Sequence, residues 1–522
     1  MEQRIYPIGI QNFESLRKDG YVYVDKTAVV YRLVTTGRYY FLSRPRRFGK
    51  SLLISTLEAY FQGKRELFKG LAIEQLEKDW TVRPVFHLDL NIGKYDTPEG
   101  LDNMLEKSLS EWESLYGAKE SERTFALRFA GVIKRAAEQT GHRVAILVDE
   151  YDKPMLQAIG NAELQREFRN TLKPFYGVLK TMDGYIKLGF LTGVTKFGKV
   201  SVFSDLNNLK DISMRRDYID ICGITDEELH RYFDEDLHTL ADTQGVDYET
   251  ACREMQKRYD GYHFNFNTVG IYNPFSLLNT FDAMSFGSYW FATGTPSYLV
   301  YLLKKHNYRL EDIEGVEVTE DVLDSIDSEG TNPIPVIYQS GYLTIKDYNS
   351  EFKLYTLAYP NQEVEEGFLK YLLPFYTDMS EAEGPFEIRK FVEEVRKGDV
   401  DGFFHRLQSF FADAPYEVIV GQAPQRNVEL FFQNVLFIVF KMMGFYTQVE
   451  YHTNRGRVDL VLKTDKYIYV MEFKQDASAE EALAQINDKD YAVSFTSDGR
   501  ELIKIGVNFS SEMRNIEKWI ME

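Results

Sequence analysis

The hydrophobic pattern of the first two hundred residues predicts buried strands that end in polar loops. Aromatic and apolar runs cover Arg38 to Ser43 and Val144 to Val148, and further strands are predicted from Val82 to Asn91 and from Tyr185 to Gly198. Continuous apolar runs suit parallel strands that are buried on both faces. From Leu52 the apolar residues take helical spacing instead. Strand, loop and helix in this order predict an α/β fold with a parallel sheet.

Helical spacing and charge dominate the middle of the chain. Thr225 opens a charged helical pattern with a capping box, and similar helices are predicted to about Asn279. These helices suit a lid over the preceding α/β fold. Residues 335–361 then alternate like a β-hairpin with a polar turn at Asn349 and Ser350. Helices followed by a hairpin predict a winged-helix-like module, whose many carboxylates favour a packing role over DNA binding.

Length, charge and cysteine content narrow the classes of protein. A chain of 522 residues is too long for one hydrophobic core, so roughly two to four domains are expected. The net charge of -19 argues against a protein coated in nucleic acid, so such a contact needs a local basic patch. Cys222 and Cys252 are the only cysteines, which is typical of a reducing compartment. With no signal-peptide core and no membrane-spanning run, a cytoplasmic protein without a membrane partner is expected.

The loop after the first strand contains half of a phosphate-binding motif. It reads LSRPRRFGKSLL, and Gly49, Lys50 and Ser51 match the end of the P-loop pattern G-x-x-x-x-G-K-[ST]. Arg44 stands where that pattern has its first glycine. Backbone N–H groups at the start of the following helix favour a bound phosphate. Lys50 would reach the β- and γ-phosphates of ATP, and Ser51 would bind magnesium. Taken alone, the motif fits equally a chance GKS that opens a surface helix.

A second motif favours the nucleotide site. Asp149 and Glu150 follow the apolar run that ends at Val148, and a carboxylate at the end of such a strand lies beside the P-loop in an α/β sheet. Asp149 is expected to hold magnesium, and Glu150 to polarise the attacking water. An acidic turn after a strand is the alternative. Thr192 and Thr195 end the next strand, where related ATPases often place a polar sensor, although either threonine fits a plain strand end.

Eight motifs together resemble the bacterial AAA-ATPase-like family, over nearly the whole chain. They are Tyr23 to Thr27, Arg44 to Ser51, Val148 to Pro154, Phe203 to Ser213, Tyr259 to Phe264, Tyr272 to Leu278, Gly341 to Ile345 and Tyr359 to Val364. The resemblance implies that arginine and proline at the front of the P-loop are the normal form. It also implies a C-terminal PD-(D/E)XK nuclease-like domain, because members of the family commonly end in one.

The nucleotide site predicted from these motifs extends along the loop. Its expected members are Arg46, Arg47, Phe48, Gly49, Lys50, Ser51, Leu52, Asp149 and Thr195. Arg46 and Arg47 could stabilise charge in the transition state, as arginine fingers do, or form salt bridges with the acidic surface. The sequence leaves both interpretations open.

The C-terminal pattern predicts a second chemical site. Asp459 lies in a short apolar strand, and Glu472 and Lys474 end the strand Tyr467 to Lys474. Residues two apart face the same side of a strand, so Glu472 and Lys474 point together and Asp459 on the paired strand can meet them. Two carboxylates can hold magnesium or manganese, and a lysine can position or activate water. This is the PD-(D/E)XK arrangement, although a bare D…E-x-K usually marks a solvated strand edge.

The surrounding elements favour the nuclease core, in the order helix, three strands, helix and strand. The helix Asn427 to Gly444 carries Glu429, where the fold often has a metal-assisting glutamate. Gln485 and Tyr491 in a later helix resemble the Q-x(5)-Y pair of the nuclease family. Arg455 and Arg457 are candidate phosphate contacts, and Gln485 is a further candidate contact to nucleic acid. Such a domain either retains cleavage or has decayed into a binding module.

The sequence thus predicts three stretches with separate tasks. Residues 1–220 form a P-loop AAA-like ATPase domain, 221–380 a helical lid and winged-helix-like region, and 381–522 a PD-(D/E)XK nuclease-like α/β domain. ATP with magnesium is the expected cofactor, and nucleic acid, with DNA favoured, is the expected partner. The rival is a nucleotide-gated switch whose C-terminal domain only binds nucleic acid or protein. ATPases of this class often complete their sites across subunits, which leaves a homo-oligomer open.

Overall fold

The computed structural model describes residues 4–196, 208–291, 297–324, 332–377, 379–380, 382–412, 426–451 and 459–522. Backbone packing divides the chain into two compact units. Unit 1 comprises Met1–Gly294 and Glu314–Val364, and unit 2 comprises Thr295–Ile313 and Glu365–Glu522. The middle of the chain therefore contributes to both units.

A five-stranded parallel sheet forms the centre of the first half of unit 1. Its strands are β1 (Tyr39–Ser43), β2 (Val85–Asp89), β3 (Val144–Asp149), β4 (Ile186–Gly193) and β5 (Lys210–Asp211). They lie in the order β2-β3-β4-β1-β5, and each neighbouring pair is parallel. Every residue of β1 and β3 is buried, as their unbroken apolar runs require. The predicted α/β fold with a parallel sheet is confirmed.

Helices precede, connect and follow these strands in the chain. They are α1 (Phe13–Lys18), α2 (Thr27–Thr36), α3 (Lys50–Phe61), α4 (Ile73–Leu76), α5 (Pro98–Tyr116), α6 (Phe125–Thr140), α7 (Lys153–Gln157) and α8 (Ala162–Thr181). Because β1, β4 and β3 are neighbours and run parallel, the loops that follow all three strands open at the same edge of the sheet. This edge carries the candidate phosphate site.

Helices and short strands continue the chain beyond β5. They are β6 (Ile224–Thr225), α9 (Asp226–Gln244), α10 (Tyr248–Tyr259), β7 (Ile271–Tyr272), α11 (Pro274–Ala283), α12 (Ser297–Lys305, in unit 2), β8 (Val316–Thr319) and α13 (Glu320–Asp324). The predicted capping box is present at the start of α9. The hydroxyl of Thr225 accepts from the N–H of Glu228, whose carboxylate accepts the N–H of Thr225 in return.

The predicted hairpin is correct for its strands but not for its start. β9 (Thr344–Asn349) and β10 (Leu354–Ala358) pair antiparallel, and β8 pairs with the other side of β10. The preceding residues form the helix α14 (Ile334–Gln339), not a strand. Pro335 lies in its first turn, where proline already has a helical φ and no N–H is needed for the helix ladder. The division between the units then falls within α15 (Gln362–Tyr376).

Unit 2 contains a mixed sheet with the predicted order of elements. After α16 (Gly384–Lys397) and α17 (Val400–Ala412) come α18 (Arg426–Gly444), β11 (Gln448–Tyr451), β12 (Leu460–Lys463), β13 (Tyr467–Gln475), α19 (Ala479–Asp488), β14 (Glu501–Ser510) and β15 (Asn515–Met521). The strands lie in sequence order, and only β13 and β14 run parallel. Helix, three strands, helix and strand are confirmed, with β15 as an additional edge. None of the helices in the described ranges has the length and hydrophobicity that a membrane crossing requires.

Candidate functional site

The loop between β1 and α3 has the backbone conformation of a tight turn into a helix. Gly49, directly before α3, has a φ of 92°, which a residue without a Cβ adopts at little cost. Arg47 also has a positive φ, 68°, which is unusual for a side chain of this size. The first N–H groups of α3 have no partners within the helix, so they are available to an anion.

Lys50 and Glu150 meet at this loop. The ammonium of Lys50 is buried and donates to the carbonyl oxygens of Arg44 and Pro45, at 3.2 and 3.3 Å. It also lies 3.4 Å from Oε1 of Glu150, which has a φ of 52° directly after β3. A phosphate bound at the start of α3 would compete with these oxygens for the same ammonium group.

Ser51 and Asp149 are also brought together, as the two half-motifs predicted. The Ser51 hydroxyl donates to the carboxylate of Asp149, which is buried at the carboxyl end of β3 and also accepts the N–H of Glu150 at 3.0 Å. Burial raises the pKa of Asp149. Asp89 stands opposite Asp149 in the register of β2 and β3 and adds to this rise. Sequence reasoning missed Asp89, which ends β2 as Asp149 ends β3 but lies inside the predicted strand Val82 to Asn91.

Thr192 near the end of β4 and Thr195 just after it are both hydrogen-bonded inside unit 1. Thr192 donates to the carbonyl of Leu42 at 3.0 Å, and Thr195 donates to Oδ2 of Asp152 at 2.6 Å. Asp152 is fully buried, and burial together with the negative charge of Glu150 raises its pKa to about 6. The hydroxyl of Thr195 is thus already hydrogen-bonded to Asp152. A contact between Thr195 and a nucleotide stays a prediction.

Arg44, in the place of the usual first glycine, folds back into unit 1. Its guanidinium is buried and donates to the carbonyls of Ser43, Ser213, Tyr218 and Ile219, at distances of 2.7 to 3.4 Å. It also lies over the ring of Phe264 at 3.8 Å. Burial lowers its pKa to about 10, so it remains charged at neutral pH. The arginine therefore joins the loop to the segment after β5.

The remaining loop residues have different surroundings. Arg46 and Arg47 are exposed, and the guanidinium of Arg47 lies 4.4 Å from the ring centre of Phe275. Phe48 is buried edge-on against Tyr262, at 4.8 Å between ring centres. These aromatic partners come from the motifs Tyr259 to Phe264 and Tyr272 to Leu278, so the family-like motifs of the middle region support the phosphate loop.

An apolar cavity of about 100 Å³ adjoins the same loop. Gly49 and Leu52 form one wall, Tyr23 and Val24 another, and Ile221 and Leu278 complete it. Its surface is mostly apolar, which suits the flat ring of a nucleotide base. Leu52 lines this cavity, and its place in the nucleotide site stays a prediction.

The predicted residues of the second site converge in unit 2. Asp459 directly precedes β12 and accepts the N–H of Phe473 at 2.9 Å. Glu472 on β13 is 2% exposed, and its Oε1 lies 3.4 Å from Nζ of Lys474. Gln485 on α19 bridges both: its Oε1 accepts from Lys474 at 2.5 Å, and its Nε2 donates to Glu472.

The charges of this second site suit a divalent metal ion. Burial raises the pKa of Asp459 to about 6. Burial and then repulsion by Asp459 raise the pKa of Glu472 to about 7. In the part of the chain that the structure describes, Oε2 of Glu472 is buried without a hydrogen bond of normal geometry. A cation between the two carboxylates would relieve the repulsion and give this oxygen a partner, so the residues present fit magnesium or manganese.

Three residues predicted for this site cannot be placed against it. Glu429 lies within α18, but its side chain is not among those described. Arg455 and Arg457 lie outside the described residues. Their expected roles in metal and phosphate binding stay predictions.

Comparison with known proteins agrees with the two predicted domain families. A family model described as a predicted AAA-ATPase matches residues 7–203, and a model of the PD-(D/E)XK nuclease superfamily matches residues 427–519. An uncharacterized protein encoded in the 5′ region of vnfD in Azotobacter chroococcum mcd 1 is 34% identical over 528 residues, covering 100% of this chain and 99% of the relative. The chain belongs to the AAA-ATPase-like family with a C-terminal PD-(D/E)XK domain. Both matches fall on the residues that form the two candidate sites.

Proposed function

We propose that this member of the AAA-ATPase-like family hydrolyses ATP at the P-loop and cleaves nucleic acid with a metal-dependent site in unit 2. The general combination of an ATPase-like and a nuclease-like domain follows from the family. The observation that carries the finer proposal is the pair of buried, mutually repelling carboxylates of Asp459 and Glu472 beside Lys474. Such a pair is costly for the fold unless a cation holds it.

The ATPase half is supported by the groups at the edge of the parallel sheet. Lys50 would neutralise the β- and γ-phosphates, and the N–H groups at the start of α3 would bind their oxygens. Glu150 would polarise the attacking water once a phosphate draws Lys50 away from it. Ser51 and Asp149 would hold a magnesium ion, which supplies positive charge to the phosphates.

The apolar cavity beside Gly49 supports a nucleoside triphosphate over a simple phosphate ester. A base in this cavity would lie against Leu52 and Tyr23, next to the first turn of α3. Apolar walls reward the burial of a flat ring, whereas a phosphate alone would leave them empty.

The nuclease half is supported by the way in which its lysine is held. Gln485 accepts from Lys474 and donates to Glu472, so the ammonium and the carboxylate keep a fixed relation. Asp459 and Glu472 would hold magnesium or manganese, which would stabilise the charge that develops on the phosphate. Lys474 would orient the attacking water. Nucleic acid, with DNA favoured, is the proposed substrate.

Two assays test this function with matched variants. Phosphate release from ATP is measured for the parent, Lys50→Ala and Glu150→Gln, with Lys134→Ala on the exposed face of α6 as the control. Cleavage of linear, circular and single-stranded DNA, and of RNA, is measured with magnesium or manganese, with and without ATP. Asp459→Ala and Glu472→Ala are compared with Glu481→Ala, an exposed acidic residue of α19.

We expect phosphate release to depend on the P-loop site and cleavage of nucleic acid to depend on the site in unit 2. Phosphate release should vanish in Lys50→Ala and Glu150→Gln but not in Lys134→Ala. Cleavage should vanish in Asp459→Ala and Glu472→Ala but not in Glu481→Ala. If ATP binds without release and no nucleic acid is cut under any condition, the protein is a nucleotide-gated switch and the proposed activities are wrong.

A further inference from the structure

A tryptophan from the middle of the chain fixes one peptide group of the phosphate loop. The indole N–H of Trp290 donates to the carbonyl oxygen of Arg46 at 3.2 Å. The C=O and N–H of a trans peptide point to opposite sides, so this bond directs the N–H of Arg47 away from the indole. In P-loops such backbone N–H groups are what binds phosphate. The contact therefore acts on the part of the loop that a nucleotide would use.

This peptide group needs an external partner because of its backbone conformation. Arg47 has a φ of 68°, in the left-handed region that side chains other than glycine seldom adopt. Pro45, on the other side of Arg46, packs against Gly341, where a Cβ would come within 2.6 Å of the proline ring. The ring of Tyr342 packs edge-on against Trp290, at 5.1 Å between ring centres. The loop is thus supported by Trp290 and by the motif Gly341 to Ile345.

Trp290 is held in turn by a buried carboxylate. Oε1 of Glu363 accepts the backbone N–H groups of Tyr289 and Trp290, at 2.6 and 2.9 Å. Its Oε2 accepts the hydroxyl of Ser276 at 2.7 Å. The residue is 3% exposed, and burial raises the pKa of Glu363 to about 7. Among the described residues, the hydrogen bonds to this carboxylate come from neutral donors, which offset the cost of burying its charge only in part. What the carboxylate provides is a fixed position for the backbone of Tyr289 and Trp290.

We propose that Trp290 and Glu363 are positioning residues of the nucleotide site. Glu363 fixes the backbone of Trp290, and the Trp290 indole sets the orientation of the peptide between Arg46 and Arg47. This inference rests on the proposed binding of ATP at the P-loop. Neither residue belongs to the predicted set of ligand contacts, and both act through the loop.

The first test compares two tryptophans with the same exposure. Trp290 and Trp112 are each 7% exposed, and both belong to unit 1. Trp290→Phe removes the donor to Arg46 and should raise the Kd for a non-hydrolysable ATP analogue about tenfold, the loss expected for one hydrogen bond. Trp112→Phe, within α5, should leave the Kd unchanged. Isothermal titration calorimetry measures both, and thermal unfolding monitors the fold of each variant.

The second test uses the conservative change at Glu363. Gln keeps an oxygen that can accept both N–H groups, and its amide can donate to Ser276, so Glu363→Gln should bind within about threefold of the parent. Glu363→Ala loses the acceptor and should bind about tenfold more weakly or worse. A residue with a purely structural role would alter the unfolding temperature in these variants without this difference in Kd.

A third measurement observes Trp290 directly. In the background Trp80→Phe, Trp112→Phe and Trp519→Phe, Trp290 is the remaining tryptophan, because the chain has 4. Its emission should change on addition of the ATP analogue and should not change when Lys50→Ala is added.

The outcomes separate this inference from the function on which it rests. If the parent does not bind ATP, both are wrong. If the parent binds ATP and Lys50→Ala does not, the proposed nucleotide site stands. In that case two results would overturn the positioning role alone. One is a Trp290→Phe variant with the Kd of the parent, and the other is a Trp290 emission that does not change when the ATP analogue is added.

Discussion

Oε1 of Glu150 lies 3.4 Å from Nζ of Lys50, so the candidate base and the candidate phosphate-binding lysine form an ion pair. The pair joins the end of β3 to the start of α3, across the edge of the parallel sheet. Because γ-phosphate would take the ammonium as its own partner, nucleotide binding would release the carboxylate for water. This relationship makes separate predictions for the two residues.

Replacement of Glu150 should separate binding from hydrolysis. Glu150→Gln should bind ATP with a Kd close to that of the parent, while phosphate release falls by at least about a hundredfold, because an amide does not act as a base at neutral pH. Calorimetry and a phosphate-release assay measure the two effects. Unchanged turnover in this variant would assign the base to another residue.

Replacement of Lys50 should abolish binding itself. Lys50→Ala removes the ammonium group next to the loop carbonyls and should raise the Kd for ATP by a hundredfold or more, about 3 kcal/mol. Lys134→Ala on α6 should bind as the parent does. Equal affinity of Lys50→Ala and the parent would remove the basis of the nucleotide site.

Arg44 should support the fold and not the chemistry. Arg44→Gly restores the general P-loop pattern, yet it leaves several buried carbonyls without donors, so we expect a loss of about 3 kcal/mol in the free energy of unfolding of unit 1. Arg44→Lys keeps the charge but cannot reach four carbonyls, and it should lose a similar amount. Denaturant unfolding measures both, with the exposed Arg143→Ala as the control. Stability equal to the parent in Arg44→Gly would contradict the role described for Arg44.

The carboxylates of unit 2 should make stability depend on pH. The folded pKa of Glu472, about 7, lies above its ordinary value, so the folded state holds a proton that the unfolded chain releases. Without metal, stability should therefore fall as pH rises from about 4 to about 7, by up to about 3 kcal/mol for this group. Unfolding of the parent and of Glu472→Gln across this range should show the slope in the parent and a smaller slope in the variant. Magnesium at pH 8 should restore stability in the parent, and an equal response in Glu472→Gln would argue against a metal at this residue.

Replacement of Gln485 should affect the placement of Lys474 and Glu472 more than the binding of nucleic acid. Its amide is already bonded to Lys474 and Glu472, so Gln485→Ala should slow cleavage about tenfold or more while the Kd for DNA changes less than threefold. Glu481→Ala serves as the control on the same helix. A variant that loses DNA binding but cleaves at the parental rate when saturated would return Gln485 to the role of a nucleic-acid contact.

Sequence reasoning succeeded where the signal was local. The runs at β1 and β3 and the spacing of Asp459 and Glu472 predicted the strands and the meeting of their side chains, because strand periodicity fixes which residues share a face. The capping box of Thr225 was also predicted from a local signal, because the two residues that form it are three positions apart. The start of the hairpin was wrong because Pro335 marks a helix as readily as a strand end, and alternation over five residues does not separate the two.

The contacts that support the phosphate loop could not be predicted, since their partners are remote in the chain. Arg44 donates to Ser213, 169 residues away, and Trp290 donates to Arg46 across 244 residues. Both bonds end on backbone carbonyls, which every residue has, so no sequence pattern marks the acceptor. Glu363 lies in the motif Tyr359 to Val364, but the motif did not reveal its role, because that role depends on burial against Trp290 and Ser276.

The proposed nuclease site is tested most directly by measuring the cleavage of nucleic acid by the intact chain and by variants of Asp459 and Glu472. DNA and RNA are incubated with magnesium or manganese, with and without ATP, and with Glu481→Ala in parallel. We predict cleavage that requires the metal, persists in Glu481→Ala and disappears in both Asp459→Ala and Glu472→Ala. Cleavage that survives both substitutions, or its absence from the parent under every condition, would contradict this prediction.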